Sequence, residues 1–333
     1  MDWEAVGAAL AQRGLRLLPG ERRRFSGGFA NRIYLIELAT GKAVLRRPPP
    51  GPLPPGAHDM AREHRILSRL PDALDFVPRS LLLVEDEAVI GVKFQVIEYR
   101  AGVVLGGATL PAEYAGSGAA LSETMLSTLA ALHRVDPAAV GLEGLGRPEG
   151  FLARAVEGWV KRGHAAEGGA LIGELGEWLR IHAVPDGVPT LLHNDFKLDN
   201  MILDPATLRP NAVVDWDQGT RGDPLFDLAT LLSYWAEPGD PPAMHDLQQM
   251  PTASAGFPTR EAAALRWSAL TGRDLSDFRF HRVLALLKLA VIFLQLHGLY
   301  RRGAVTDARY AGFGDVAQGM LGFGREVAAG RLF

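Results

Sequence analysis

The hydrophobic pattern of the chain changes near residue 100, and this change constrains the fold more than any other feature. Residues 20–97 contain runs with strand chemistry, such as RIYLIEL and KAVLRR, and their order reads as three strands, one helix and two strands. Beyond about residue 102 helical patterns dominate, and residues 190–215 interrupt them. The pattern predicts an α+β chain with a β-rich N-terminal lobe (1–98), a largely helical C-terminal lobe (99–333) and a cleft between them.

Composition and charge narrow the class of partner. The chain has 333 residues, a net charge of −3 and no cysteine. This charge provides no basic field for nucleic acid, so we expect a small-molecule partner. The absence of cysteine excludes a disulfide framework, a thiolate metal site and a cysteine nucleophile, and it is compatible with a reducing compartment.

Two segments bear on the location of the protein. The N-terminal run MDWEAVGAAL has acidic residues where a signal peptide carries positive charge, which predicts a cytoplasmic protein. The apolar run at residues 283–299 is interrupted by Lys288, Gln295 and His297 and is shorter than the ~20 residues that span a bilayer. It therefore predicts a buried core helix, and no membrane partner is expected.

The segment LLHNDFKLDN, residues 191–200, places many polar groups directly before a predicted hairpin. The apolar runs 201–203 and 212–214 flank the turn-rich DPATLRPN and should pair as antiparallel strands. If Leu203 faces Ala212, the last residue of the polar segment lies directly opposite the residue that follows the second strand.

Those two residues are Asn200 and Asp215, and Asp195 and Asp217 lie nearby in sequence. Oxygen donors of this kind are the ligands that Mg²⁺ prefers, especially where further positions remain for water and phosphate oxygens. The segment therefore predicts half of a phosphate and metal site. The alternative is that these Asp and Asn residues only form turns.

The pattern H-x-D-x-K-x-x-N, followed after a strand by D-W-D, resembles the catalytic loop and metal-binding aspartate of the protein-kinase-like superfamily, in its aminoglycoside and choline phosphotransferase branch. The resemblance implies a bilobal protein-kinase-like fold and an enzyme that phosphorylates a small-molecule hydroxyl with ATP and Mg²⁺. By position, Asp195 accepts or orients the proton of the hydroxyl, and Asn200 and Asp215 bind Mg²⁺. Lys197 either places a cation on the transferring phosphoryl group or is simply solvated.

Other residues of the motif have structural interpretations as well. His193 is expected to brace the loop by hydrogen bonding, whereas Asp217 either assists the metal or caps a turn. The later run RGDPLFDLATLL resembles the family segment G-D-P-x-x-D-L-A. Its Asp223 and Pro224 also fit the N-cap and first turn of a helix, where the charge of Asp227 suits the helix dipole.

The nucleotide side has no Walker A motif and no G-x-G-x-x-G. Instead, the run FSGGFAN contains Ser26, Gly27 and Gly28, whose backbone N–H groups could approach phosphate closely. A paired glycine also forms an ordinary hairpin turn. Its place upstream of the polar segment favours the phosphate-binding interpretation.

Kinase-like folds hold phosphates with a strand lysine paired to a helix glutamate, and here the matching strand position is Arg46, with Glu63 as the candidate partner. Arginine keeps its charge but differs from lysine in reach and geometry, so Lys42 is an alternative anchor. Glu63 could instead lie on a solvated helix face. Glu98 and Tyr99 resemble the interlobe hinge, where backbone groups contact adenine.

The N-terminal run from Phe25 to Leu67 is also similar to phosphotransferase domains related to those fused to acyl-CoA dehydrogenases. This similarity implies a hydroxylated acyl compound as the phosphate acceptor, ahead of an aminoglycoside or choline. Two alternatives remain open. One is a catalytically inactive, nucleotide-binding pseudokinase, which the arginine at position 46 suggests, and the other is a metal hydrolase.

Overall fold

A computed structural model describes residues 1–25, 31–49 and 58–333 of the chain, which forms two compact units. The first unit comprises Met1–Val103, Ala138–Glu143 and Met201–Gly219. The second comprises Val104–Pro137, Gly144–Asn200 and Thr220–Phe333. The division into lobes at residues 98 and 99 stays a prediction.

The described helices and strands are named in chain order. The helices are α1 (Trp3–Ala11), α2 (Met60–Leu67), α3 (Gly118–His133), α4 (Phe151–Ala165), α5 (Ala170–Ile181), α6 (Pro224–Ser233), α7 (Pro242–Asp246), α8 (Arg260–Thr271), α9 (Phe278–Arg301) and α10 (Phe313–Ala328). The strands are β1 (Arg32–Leu38), β2 (Gly41–Arg47), β3 (Ser80–Val84), β4 (Phe94–Glu98), β5 (Thr190–Leu192), β6 (Met201–Leu203), β7 (Pro210–Val213) and β8 (Thr220–Gly222).

A four-stranded antiparallel sheet forms the centre of the first unit, in the order β1-β2-β4-β3. Ala39 and Thr40 join β1 to β2, and Gly41, the first residue of β2, has a φ of 120°, which L side chains rarely adopt. Strands β1, β2, β3 and β4 contribute buried apolar residues to one core with α1. This sheet places Arg46 on an inner strand, opposite Gln95 of β4.

The prediction of three strands before α2 is wrong within the described residues, which contain two. Instead of a third strand, Leu17 and Arg24 form isolated bridges to β1. The sequence from residue 21 to residue 24 is Glu-Arg-Arg-Arg, which has no alternating apolar side chains to bury. A strand there would gain little from packing against the sheet.

Strands β6 and β7 pair antiparallel as predicted, but the register differs. Ile202 lies opposite Ala212, and Leu203 lies opposite Pro210, with an irregularity between the two β6 residues. The predicted pairing of Leu203 with Ala212 is therefore wrong. The register consequently gives no support for placing Asn200 opposite Asp215.

The side chain of Asp204 explains this register. Its Oδ1 accepts hydrogen bonds from the N–H groups of Ala206 and Thr207, at 3.0 and 2.8 Å. The N–H of Asp204 then donates to the carbonyl of Arg209 at 2.9 Å. This Asx turn closes the loop between residues 204 and 209, so the second strand begins earlier than predicted.

Helix α9 is the core helix of the second unit, where it packs against α10, α6 and α4. The expectation that this segment is too short to cross a membrane is wrong, because α9 has 24 residues and is long and apolar enough by length and composition alone, but 61% of its apolar window is buried. The residues from Val283 to Val291 are all buried, including Lys288. The predicted buried core helix is therefore present.

Helix α6 begins as the sequence predicted, with Asp223 as N-cap and Pro224 in the first turn. The carboxylate of Asp223 accepts from the N–H groups of Leu225 (2.9 Å) and Gly187 (2.8 Å), and it lies 3.3 Å from Nε2 of His281. Burial alone would raise the pKa of Asp223, but the hydrogen bonds from His281 and the two backbone groups outweigh it and lower the pKa. Through these contacts, Asp223 connects α6 to α9 and to the segment before β5.

We expect Asp223→Ala to lower the free energy of unfolding at pH 7 by about 3 kcal/mol, because it leaves buried partners without an acceptor. The pKa of Asp223 is lowered in the folded state, so its stabilising effect is present above the pKa of an unfolded Asp. The effect is lost as the pH falls below about 4. Urea unfolding at pH 7 and at lower pH measures both effects.

The control is Asp2→Ala, which removes the exposed N-cap of α1. We expect it to cost about 1 kcal/mol. Equal losses for the two variants would contradict the role assigned to the buried partners of Asp223.

Candidate active site

The loop after β5 carries the polar segment singled out in the sequence. Strand β5 pairs with β8, and the loop that follows is anchored by the buried side chains of Phe196 and Leu198. The N–H of Leu198 donates to Sδ of Met250 at 3.4 Å. Because apolar anchors alternate with polar residues, the side chains of Asp195 and Lys197 stay 19% and 12% exposed.

Asp227 of α6 holds the start of this loop. Its carboxylate is fully buried and accepts from the backbone N–H groups of His193 and Asn194, both at 2.8 Å. Nε2 of His133 lies 3.2 Å from the same carboxylate. Burial alone would raise the pKa of Asp227, but the hydrogen bond and charge of His133, with those of His193, lower it. Asp227 therefore stays ionised and anchors the loop.

The carboxylate of Asp195 is held by donors on both oxygens. The hydroxyl of Tyr234 donates to Oδ1 at 2.7 Å, and Nδ2 of Asn200 donates to Oδ2 at 3.2 Å. Nδ2 of Asn200 also donates to the Asp195 carbonyl at 2.9 Å. Both contacts use the amide nitrogen of Asn200.

Lys197 is close to the same carboxylate, with Nζ 3.6 Å from Oδ2 of Asp195. Nζ also donates to Oε1 of Gln249 at 3.1 Å and lies 4.7 Å from the centre of the Tyr234 ring. The lysine is mostly buried, so the interpretation as an ordinary solvated side chain is wrong. Asp195, Lys197 and Asn200 thus form one cluster within the second unit.

The rest of this cluster is only partly predictable from the sequence. His193 braces the loop as expected, since its Nδ1 accepts from the N–H of Asp195 at 3.3 Å. Tyr234 and Lys288 were not identified as site residues. Lys288 donates to the carbonyl and to Oδ1 of Asn194, although it lies 94 residues further along the chain. No local motif signals a contact at that separation.

A second cluster lies in the first unit, around the guanidinium of Arg46. Nε of Arg46 lies 3.1 Å from Oε2 of Glu63, and Nη2 donates to Oδ1 of Asp215. Oδ2 of Asp217 is 3.6 Å from Nη2. Arg46, and not Lys42, is therefore the partner of Glu63, as its sequence position indicated.

Glu63 is fully buried, so the alternative of a solvated helix face is wrong. Its Oε1 accepts from the N–H of Trp216 at 3.1 Å, and its Oε2 accepts from the amide of Gln95. Asp215, the residue before Trp216, adopts a φ of 70°, a left-handed conformation that Asp tolerates better than most residues. Glu63 thus fixes the backbone directly after Asp215.

The charges in this cluster are unequal. Three carboxylates, those of Glu63, Asp215 and Asp217, surround the single guanidinium of Arg46. Burial raises the pKa of Glu63 to about 7, and burial together with the charge of Asp215 raises the pKa of Asp217 well above its usual value. These raised pKa values indicate more acidic groups than Arg46, together with the imidazole of His58 at 3.8 Å from Asp217, keeps ionised, so an additional cation would favour their ionised forms.

Mg²⁺ suits such a cluster, because it typically takes one or two protein carboxylates and completes its shell with water and phosphate oxygens. Among the described residues, no group of three or more His, Cys, Asp or Glu side chains is arranged to hold a metal ion by itself. The sequence also predicted that Asp195, Asn200 and Asp215 surround one ion. That arrangement stays a prediction.

The structure describes only some of the other residues that are predicted to bind the nucleotide. Ser26, Gly27 and Gly28 lie outside the described residues. The N–H of Glu98 donates to the carbonyl of Arg79 at 2.9 Å, and its carboxylate lies 2.8 Å from Nε of Arg100. The ring of Tyr99 lies 5.9 Å from Nζ of Lys42. Contact of Glu98 and Tyr99 with adenine stays a prediction.

Solved structures share this fold. A Ralstonia eutropha protein described as a candidate aminoglycoside phosphotransferase superposes with a TM-score of 0.80 and 26% identity, covering 99% of this chain and 98% of that one. A thermostable mutant of the aminoglycoside phosphotransferase APH(4)-Ia, in a ternary complex with ADP and hygromycin B, superposes with a TM-score of 0.60 at 15% identity, covering 95% and 98%. The predicted kinase-like α+β fold is confirmed.

Sequence comparison identifies the branch and the family. Over 297 residues the chain is 32% identical to mouse (Mus musculus) acyl-CoA dehydrogenase family member 10, covering 88% of this chain and 27% of that protein. The chain spans 27% to 40% of the length of the curated relatives it matches. The profile of the phosphotransferase enzyme family matches residues 21–274. The resemblance predicted from the motifs is confirmed, and the chain belongs to the phosphotransferase enzyme family.

Proposed function

We propose that this phosphotransferase transfers the γ-phosphoryl group of ATP to a hydroxyl group of a small molecule and requires Mg²⁺. The observation that carries the proposal is the position of Asp195. Its carboxylate is partly exposed and oriented by Tyr234 and Asn200 on a loop that Asp227 anchors. Phosphoryl transfer depends mainly on positioning and charge neutralisation, which a fixed carboxylate with cationic neighbours provides.

In this proposal Asp195 orients the acceptor hydroxyl and receives its proton. The hydroxyl oxygen forms a bond to the γ-phosphorus, the bond from that phosphorus to the bridging oxygen breaks, and ADP leaves. Lys197, at 3.6 Å from the carboxylate, places a positive charge beside the transferring group. Because Lys197 also packs on the Tyr234 ring, it is held close to Asp195.

The chemistry of the donors supports Mg²⁺. Asp215 of the first unit would supply a carboxylate oxygen, and Asn200 of the second would supply its amide oxygen, since its amide nitrogen already donates to Asp195. Bound Mg²⁺ would neutralise charge on the nucleotide phosphates. The use of ATP is supported by the neighbouring APH(4)-Ia structure, which contains ADP.

Arg46 and Glu63 would act on the nucleotide side by holding Asp215. The guanidinium binds both carboxylates at once, which lysine could not do with the same fixed geometry. Ser26, Gly27 and Gly28 are proposed to contact phosphate through backbone N–H groups.

The acceptor we propose is a hydroxylated acyl compound, ahead of an aminoglycoside or choline. The support is the similarity to proteins named as acyl-CoA dehydrogenase family members.

We expect Asp195→Asn to lower phosphoryl transfer about 1,000-fold, because the amide cannot accept the proton of the acceptor hydroxyl. The affinity for ATP should change by less than about twofold, because only positioning of the acceptor depends on this carboxylate. The assay combines ATP and Mg²⁺ with amino sugars, amino alcohols and hydroxyacyl compounds, and it measures both ADP and the phosphorylated product by mass spectrometry.

Asp204→Asn is the control, because it makes the same chemical change at an exposed turn whose hydrogen bonds Asn also forms. Wild-type turnover in Asp195→Asn would refute the role of Asp195. ATP binding without turnover of any acceptor by the wild-type protein would favour the pseudokinase. Free phosphate without a phosphorylated acceptor would favour a hydrolase.

Arg46→Met should destabilise the protein by about 3 to 5 kcal/mol, because it leaves buried carboxylates without their cation. Lys42→Met is the matched control, since Lys42 is exposed and lies over Tyr99. We expect a change within about 0.5 kcal/mol for this control. Urea unfolding measures both variants, and similar values would contradict the pairing assigned to Arg46.

Removal of divalent metal should abolish phosphoryl transfer, and Mg²⁺ should restore it. With the Mg²⁺–ATP complex at about 100 times its dissociation constant, the stability of the wild type should be about 2.7 kcal/mol higher than without ligand, seen as a higher thermal midpoint. Asp215→Asn should show a smaller rise. An equal rise in this variant, or transfer in the presence of EDTA, would argue against the metal role.

A further inference from the structure

A lysine lies inside the apolar core helix of the second unit. Lys288 of α9 is 2% exposed, and its neighbours Leu287 and Leu289 are buried as well. A buried ammonium group is unfavourable unless its N–H groups meet acceptors. Methionine has a similar length and would fill the same space without that penalty, so packing alone gives no reason for a lysine here.

Both hydrogen-bond acceptors of Lys288 belong to one residue of the loop after β5. Nζ donates to the backbone carbonyl of Asn194, and it donates to Oδ1 of the same residue at 2.8 Å. Asn194 adopts a φ of 66°, in the left-handed region that most L residues avoid. The lysine therefore holds the loop at its most unusual backbone conformation.

Asp227 holds the same residue from the opposite side. The N–H of Asn194 donates to Oδ1 of Asp227 at 2.8 Å, while its carbonyl accepts from Lys288. A negative group thus fixes the N–H and a positive group fixes the carbonyl. The carbonyl belongs to the peptide that leads into Asp195, so fixing this peptide fixes the direction in which the Asp195 side chain leaves the backbone.

The charge state of the lysine depends on several neighbours. Burial lowers the pKa of Lys288 to about 8. The carboxylates of Asp195 on the loop and Asp227 on α6 act to raise it, whereas Lys197 on the loop and Arg162 on α4 act to lower it. The ring of Phe226 lies 5.2 Å from Nζ and favours the charged form. Lys288 is therefore charged at neutral pH and loses its proton as the pH rises through about 8.

We propose that Lys288 is a positioning residue for phosphoryl transfer, which acts through its two hydrogen bonds to Asn194 and thereby fixes the orientation of Asp195. The inference rests on the proposed function of Asp195. It assigns a part in the reaction to a residue of the apolar core that does not itself bind the acceptor or the nucleotide.

The first test is Lys288→Met, which keeps the length of the side chain and removes its donors. We expect kcat to fall about 100-fold while the KM for ATP changes by less than about twofold, because a misplaced carboxylate slows transfer without altering nucleotide contacts. Hydrogen exchange of the peptide at residues 193–197 should be about tenfold faster, because the brace on Asn194 is gone.

Lys288→Arg is the variant that should restore most of the activity. It keeps a charged donor at this position, so kcat should return to within about tenfold of the wild type. The wild-type kcat should fall as the pH rises through about 8, whereas the arginine variant should show no such fall, because arginine stays protonated.

Val291→Ala is the control for a general loss of stability. Val291 is buried on the same helix but packs toward Gly163 of α4, so its truncation should leave both the exchange at residues 193–197 and the kcat unchanged. If Lys288→Met does not fold, Asn194→Gly replaces it, because glycine keeps the left-handed backbone and removes Oδ1. In that variant kcat should fall about tenfold.

Wild-type kcat in Lys288→Met, or unchanged exchange at residues 193–197, would overturn the proposal. The same holds if Val291→Ala reproduces the effects of Lys288→Met. Should the wild-type protein phosphorylate no acceptor, the proposed function fails by itself. The exchange measurement still decides whether Lys288 fixes the loop.

Discussion

The buried carboxylate of Asp227 fixes the loop on which the candidate chemistry lies. It accepts from two successive backbone N–H groups, those of His193 and Asn194, and is paired with His133. A carboxylate in such a position stays ionised only because these donors outweigh the effect of burial. Since the anchor is on α6, the orientation of Asp195 depends on how that helix is placed in the core of the second unit.

The placement of α6 depends in turn on its N-cap residue. Asp223 begins the helix and contacts His281 of α9, so the helix that carries Asp227 is tied at its first turn to the core helix. From the same core helix, Lys288 reaches the carbonyl of Asn194. The loop is therefore bound by a carboxylate of α6 and by the ammonium group of α9. The contact between Asp223 and His281 joins these two helices without involving the loop.

In the first unit, a buried cation holds several carboxylates together. One arginine, Arg46, is surrounded by the carboxylates of Glu63, Asp215 and Asp217. Arginine can bind several carboxylates because its donors are arranged in a planar fork, and it keeps its proton when buried. The arginine that stands in place of the usual strand lysine therefore positions Asp215.

The sequence by itself determined the α+β class, the family, the N-cap at Asp223 and the pairing of Arg46 with Glu63. These features follow from local hydrophobic periodicity, from capping chemistry and from motif spacing. Only the tertiary structure decided the partners of Asp195 and Asn194, because Tyr234 and Lys288 come from distant helices. The register of β6 and β7 was mispredicted for a different reason, because the local turn at residue 204 sets it and the apolar pattern does not show that turn. Contacts between distant segments depend on how helices pack, and no local pattern of residues encodes that packing.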